Sequence, residues 1–149
     1  MTPGDVPVGG PAGTLARRRR TSGERGEALA ARHLEAIGWT VLARRVRVGR
    51  DEIDLVAVEP GPPSALVIVE VRTRASGRFG SPEESVDRRK VARLYRAAAA
   101  LRAIGTLPGG TPIPALPWRV DLIAVDDAPA IGPGAGGPAF RHLRALEPR

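Results

Sequence analysis

A chain of 149 residues without a single cysteine is long enough for one domain to bury roughly two thirds of its unfolded surface, and it excludes disulfides, thiolate metal centres and cysteine nucleophiles. Its formal charge of +7 comes almost wholly from arginine, with Lys90 the only lysine, so polyanions are natural partners, although an arginine- and alanine-rich genome would give the same balance. With 3% aromatic residues, the chain has too few rings to be a platform that stacks exposed bases.

In chain order, MTPGDVPVGGPAGTLARRRR carries its charge after a weakly apolar part and lacks the core of a signal peptide. No run approaches the roughly 20 apolar residues of a spanning helix, so no membrane role and a cytoplasmic location are expected. Residues 1–20 read as a disordered basic tail whose Arg17 to Arg20 could touch phosphate. TSGE at Thr21 to Glu24 offers a capping box, and a helix then runs to about Ile37, stopped by Gly38. Glu27, Ala30, Ala31 and Leu34 share one face of it by the i, i+3, i+4, i+7 rule. An acid therefore heads the packing stripe.

WTVLARRVRV reads as a strand ending in a turn at Gly49 to Asp51. IDLVAVE and ALVIVEVR follow, joined by the turn PGPPS. Both are apolar on alternating faces, with Val56, Val58, Leu66 and Ile68 on one and Ile53, Leu55, Val67 and Val69 on the other. Such strands sit centrally under helices on both sides. TRASGRFGSPEES is a loop ending in a stronger capping box, Ser81 with Pro82 and Glu84. The helix after it runs to about Ile104, stops at Gly105, and bears an apolar stripe of Val91, Leu94, Ala98 and Leu101. Arg89, Arg93 and Arg96 line another face, either as phosphate contacts or as a solvated surface. WRVDLIAV is a further strand, DAPAIGPGAGGPA is a glycine- and proline-rich linker, and FRHLRAL is a short strand or turn. The expected organisation is an α/β domain over residues 21–127 and a C-terminal segment over 128–149.

If the central hairpin pairs symmetrically about Pro62, paired positions sum to 124, and Asp54 faces Glu70 with Cβ atoms about 5 Å apart. Arg72 points to that same side. A one-residue slip would separate the acids. Two carboxylates so close repel unless a cation lies between them, and a divalent cation such as Mg²⁺ or Mn²⁺ suits oxygen ligands. The alternative is an ion-paired sheet end in which Glu70 meets Arg72 or Arg74 and no chemistry follows. His33 and His142 lack partners at metal-ligand spacing and read as structural or surface groups.

The order GERGEALAARHL, DEIDLVAV, VIVEVRTR, SPEESVDRRKVARLYRAAAALR and RVDLIAV resembles the YraN-like family of endonuclease-like proteins over residues 23 to about 125. That family is similar to the restriction-endonuclease-like, PD-(D/E)XK-type nucleases and to archaeal Holliday-junction resolvases. The resemblance implies a mixed β-sheet with a central hairpin flanked by α-helices, and metal-dependent hydrolysis of DNA phosphodiesters, branched DNA included. It implies Asp54 as bridging metal ligand, Glu70 as second ligand, the Val71 carbonyl completing the sphere, and Glu27 approaching the metal through water; Glu52 is a peripheral candidate or a turn acid. Where the signature has lysine, this chain has Arg72, which can clamp a phosphate but cannot serve as a base. Lys90, on the following helix, could reach the site in its place. Nucleic-acid contacts are expected from Arg74, Arg89, Lys90, Arg93 and Arg96. The rival readings are a DNA-binding protein of the same fold without turnover, and a partner-binding protein whose acids are only ion-paired. Asp121 matches a family position, supporting either the sheet or the outer part of the site. A homodimer would supply two sites for two strands.

Overall fold

The computed structural model describes residues 11–74, 88–127 and 136–147; of residues 11–22 and 74 only the backbone is described. The elements are α1 (Pro11–Ala36), β1 (Thr40–Val48), β2 (Asp51–Glu59), β3 (Ala65–Arg74), α2 (Arg88–Ile104), β4 (Trp118–Asp126) and β5 (Ala139–Leu143). The strands form one sheet in sequence order, antiparallel except where β3 and β4 run parallel. A parallel pair needs a long crossover, and α2 lies within it. This is a mixed α/β sheet with a central hairpin and a helix packed on each face, consistent with the restriction-endonuclease-like architecture.

Each face of the hairpin packs against one helix. Ala30, Ala31 and Leu34 of α1 join Leu55, Ala57, Val67, Val69, Ile123 and Val125. On the other side Leu94, Ala97, Ala98 and Leu101 of α2 join Val46, Ile53, Val56, Leu66, Ile68 and Val120. Leu55, Val56, Leu66 and Ile68 are all completely buried, which explains why these strands are apolar throughout rather than alternating with polar residues. Gly38 and Gly105, at φ of 94° and 80°, end α1 and α2 by adopting the left-handed conformation that glycine tolerates best.

Three expectations are corrected or bounded. Helix α1 starts at Pro11, ten residues before Thr21, so residues 11–20 are helical rather than part of a disordered tail and TSGE lies inside the helix. Proline suits a first helical position, and the alanines, leucine and arginines that follow are strong helix formers. The Ser81 to Glu84 capping box lies outside the described residues. FRHLRAL contributes β5.

The hairpin register is the one symmetric about Pro62: Leu55 pairs with Val69, Val56 with Ile68, Ala57 with Val67 and Glu59 with Ala65. Simple alternation fails at one place, however. Ile53 packs on the α2 side with Val56, and not with Leu55, which faces α1. The ladder to β1 pairs Arg44 with Leu55 and Val46 with Ile53, passing over Arg45 and Asp54 between them. Arg45 has a φ of 54°, uncommon for a residue with a Cβ. The two strands thus change face together at Arg45 and Asp54.

Candidate active site

That change of face lets Asp54 meet neighbours from both sides of the sheet. Its Oδ2 accepts a hydrogen bond from the Val71 amide at 2.8 Å, tying β2 to β3 just beyond their last ladder pair. Toward α2, its carboxyl faces Glu70 across a shared cleft. Toward α1, Asp54, Glu52 and Glu27 each offer a carboxylate oxygen within 4.8 Å of the others. Glu27 and Glu70 are buried, at 8% and 4% exposure. Four acids therefore surround one another, and Asp54 belongs to both halves of the group.

Glu27 gets there because α1 lies very close to β3. A Cβ on Gly26 would come within 1.9 Å of Thr73 Oγ1, so glycine lets the helix settle against the strand end with the Thr73 side chain as it stands. The next residue, Glu27, is then carried in among the other acids. A glycine inside a helix costs about 1 kcal/mol relative to alanine, and close packing offsets it here.

Electrostatics reflect this crowding. Burial, then the facing Glu70, pushes the Asp54 carboxyl up to about 8 despite the Val71 amide. Burial also raises Glu27; Arg45 opposes the rise, while Glu52, Glu24 and Glu70 reinforce it. The basic groups sit at the margins. Lys90 Nζ is 3.0 Å from Glu70 Oε1, so the only lysine reaches the site from α2. Arg72 Nε is 3.8 Å from the same oxygen, and it is buried without a hydrogen-bond partner among the described residues. An open cleft of about 280 Å³ fronts the group, lined by Glu52, Asp54, Glu70, Lys90, Arg50 and Arg93 among others.

The residues anticipated from sequence do not all converge. Arg89 and Arg93 are exposed on α2; Arg96 is exposed and lies 3.8 Å from Asp51. The Arg74 side chain lies outside the described residues. Val71 touches Asp54 through its amide. Glu52, a peripheral candidate or turn acid by sequence, converges with Glu27 and Asp54; its spacing of two from Asp54 is the available signal. Arg45 and Arg50 were missed, since nothing sets them apart from the other arginines of β1 and its turn.

A third buried acid lies elsewhere among the described residues. Asp121 in β4 is completely buried, and Arg119 Nε donates to it at 2.9 Å, the Ala145 amide at 2.9 Å, and His142 Nε2 lies 2.8 Å away. Burial disfavours its charge, yet His142, Arg119 and the amide hold the carboxyl below its usual range. Arg119 and Arg144 also pair with Glu59 at the end of β2 and flank the Trp39 ring. This network fastens the C-terminal segment to the sheet. It accounts for Asp121 and His142 as structural groups, and His33 stacks on Phe140 in the same role.

The model of the uncharacterised protein family UPF0102 matches residues 26–125. A UPF0102 protein of Moorella thermoacetica is 49% identical over 112 residues, 75% of this chain and 84% of that protein. One from Roseiflexus castenholzii is 44% identical over 108 residues, 72% and 81% of the two chains. One from an Arthrobacter species is 40% identical over 131 residues, 87% and 98%. With the family model matched over residues 26–125 and relatives this similar over most of their length, the chain belongs to family UPF0102.

Proposed function

We propose that the protein is a metal-dependent nuclease that hydrolyses DNA phosphodiester bonds at the Asp54 cluster. The observation that carries this reading is the convergence of Glu27, Glu52 and Asp54 within 4.8 Å, with Glu70 against Asp54 from the other side. The donor set fits the group: every ligand is a carboxylate oxygen, the chemistry that Mg²⁺ or Mn²⁺ prefers over softer ions. Asp54, Glu70, Glu27 and Glu52 would hold the ion, with the Val71 carbonyl as a further ligand. A divalent ion held there supplies the Lewis acidity that phosphodiester hydrolysis needs at neutral pH.

The chain's own residues do the rest. Arg50, Arg93 and exposed Arg89 bring the polyanion to the cleft, through contacts that are phosphate-directed and salt-sensitive. Arg72 brings to the site a buried Nε–H that has no partner among the described residues, a donor suited to a non-bridging phosphate oxygen and to the charge that grows there in the transition state. Lys90, held by Glu70, orients the attacking water. Water adds to phosphorus and gives up a proton to solvent, the P–O bond to the sugar breaks, and the departing oxygen takes up a proton from solvent, so one water is added across the bond in total. The branched-DNA preference follows from the family resemblance alone.

Arg72 in the signature lysine position favours a second reading, a DNA-binding protein without turnover. Lys90 on Glu70 weighs against it, because an amine is available from α2. The test is incubation of duplex, single-stranded and four-way DNA with Mg²⁺ or Mn²⁺, using wild type, Asp54→Ala and Lys90→Ala. Metal-dependent cleavage abolished by Asp54→Ala is expected. Retention of DNA at low salt with no cleavage under any metal would instead establish the binding protein.

A further inference from the structure

Arg45 holds the acids that the proposed metal would need. Its Nε lies 3.1 Å from Glu27 Oε2 and 3.8 Å from Glu52 Oε1, and its Nη1 donates to Glu24 at 2.8 Å. Glu27 and Glu52 are two of the three acids that converge with Asp54. The backbone is set for this arrangement: Arg45 takes a φ of 54° opposite Asp54, where the strands change face, so its side chain leaves the β1 ladder and reaches α1. A buried Glu27 needs a positive neighbour, and among the described residues the Arg45 guanidinium supplies it.

We propose that Arg45 is a resident counter-ion that competes with the divalent metal: it neutralises Glu27 and Glu52 in the metal-free protein and releases them when the metal binds. This rests on the metal reading above. Arg45 is 41% exposed and Glu24 50% exposed, so the guanidinium can swing outward while staying beside its outermost partner. Arg45 is a positioning residue that lowers metal affinity and keeps the acids together before the metal arrives. Its apparent effect follows from population: if the guanidinium occupies the acids about nine tenths of the time, the metal binds about tenfold more weakly than to the vacated acids.

The experiment measures Mn²⁺ binding by electron paramagnetic resonance to wild type, Arg45→Asn, Arg45→Lys and Asp54→Asn, without DNA. Asparagine tolerates the left-handed backbone and removes the charge. Arg45→Asn is expected to bind Mn²⁺ about tenfold more tightly than wild type, and Arg45→Lys, which keeps the charge without the fork, by less. Equal or weaker binding by Arg45→Asn, with Asp54→Asn still abolishing binding, would overturn the Arg45 proposal and leave the metal reading intact. If wild type does not bind Mn²⁺, or Asp54→Asn binds it equally, both fall. Wild type alone supplies a check independent of any variant's folding: the Arg45 Nε–H resonance should move when Mg²⁺ is added, and an unchanged resonance at saturation would also overturn the proposal.

Discussion

Two aspartates, the half-buried Asp54 and the completely buried Asp121, stand on neighbouring regions of one sheet and are treated in opposite ways. Asp121 is surrounded by donors, and its charge is stabilised by Arg119, His142 and the Ala145 amide. Asp54 receives one amide and otherwise faces acids. Loss of solvent disfavours the charge on both, so the neighbours decide the outcome: one carboxyl is held below its usual range and the other is pushed up to about 8. A satisfied buried acid serves the fold, whereas an acid packed among acids lacks positive charge that folding alone does not supply.

The largest expected effect comes from removing the charge at each aspartate. Asp54→Asn should lower DNA cleavage by roughly a thousandfold or more, in the range seen when a group acting on the transition state is lost, and leave the fold intact. Asp121→Ala should do the reverse and unfold the protein more easily, by about 3 to 5 kcal/mol in a denaturant titration, because Arg119, His142 and the Ala145 amide lose the buried carboxylate they share. Equal destabilisation by the two changes would erase the distinction.

The pH dependence sharpens it further. The folded-state pKa of Asp54 lies above its unfolded value, so its proton is held more tightly in the native state. Its contribution to stability is complete below about pH 4 and is lost as pH rises toward 8. Without metal, wild type should therefore fall below Asp54→Asn in stability across that interval, by on the order of a few kcal/mol, as measured by chemical denaturation at successive pH values. For Asp121, whose folded-state pKa is depressed, the sign is opposite: its contribution is present above its unfolded value and lost as pH falls.

Smaller effects concern the supports. Gly26→Ala must push α1 away from Thr73, at a cost of about 1 to 3 kcal/mol, and should weaken Mn²⁺ binding because Glu27 moves with the helix. Arg89→Ala and Arg93→Ala should each reduce the salt dependence of DNA binding by about one phosphate contact, leaving metal affinity unchanged.

Much of this arrangement was legible in the residues. The two-sided apolar strands marked the centre of the sheet, the proline turn fixed the register that brings Asp54 beside Glu70, and helical spacing put Glu27 on the packing face. The change of face at Arg45 and Asp54 was not legible. Alternation assigns Ile53 and Leu55 to one side, and a left-handed arginine carries none of the glycine or asparagine signal that usually marks such a position. Glu52 was undervalued for the same reason. The role of Asp121 depends on His142 and Ala145, more than twenty residues away, and spacing cannot announce partners brought by tertiary contact. The early start of α1 reflects helix propensity continuing through a capping motif that sequence alone reads as a boundary.

The most direct test is calorimetric titration of Mg²⁺ at pH 7 in buffers of differing ionisation enthalpy, which counts protons released on binding. An ion that takes Asp54 as a ligand must displace its proton, so wild type should release close to one proton, fewer at pH 9, and Asp54→Asn should show no such binding. Binding with no proton release, or an identical titration for Asp54→Asn, would contradict the assignment of Asp54 as the shared ligand.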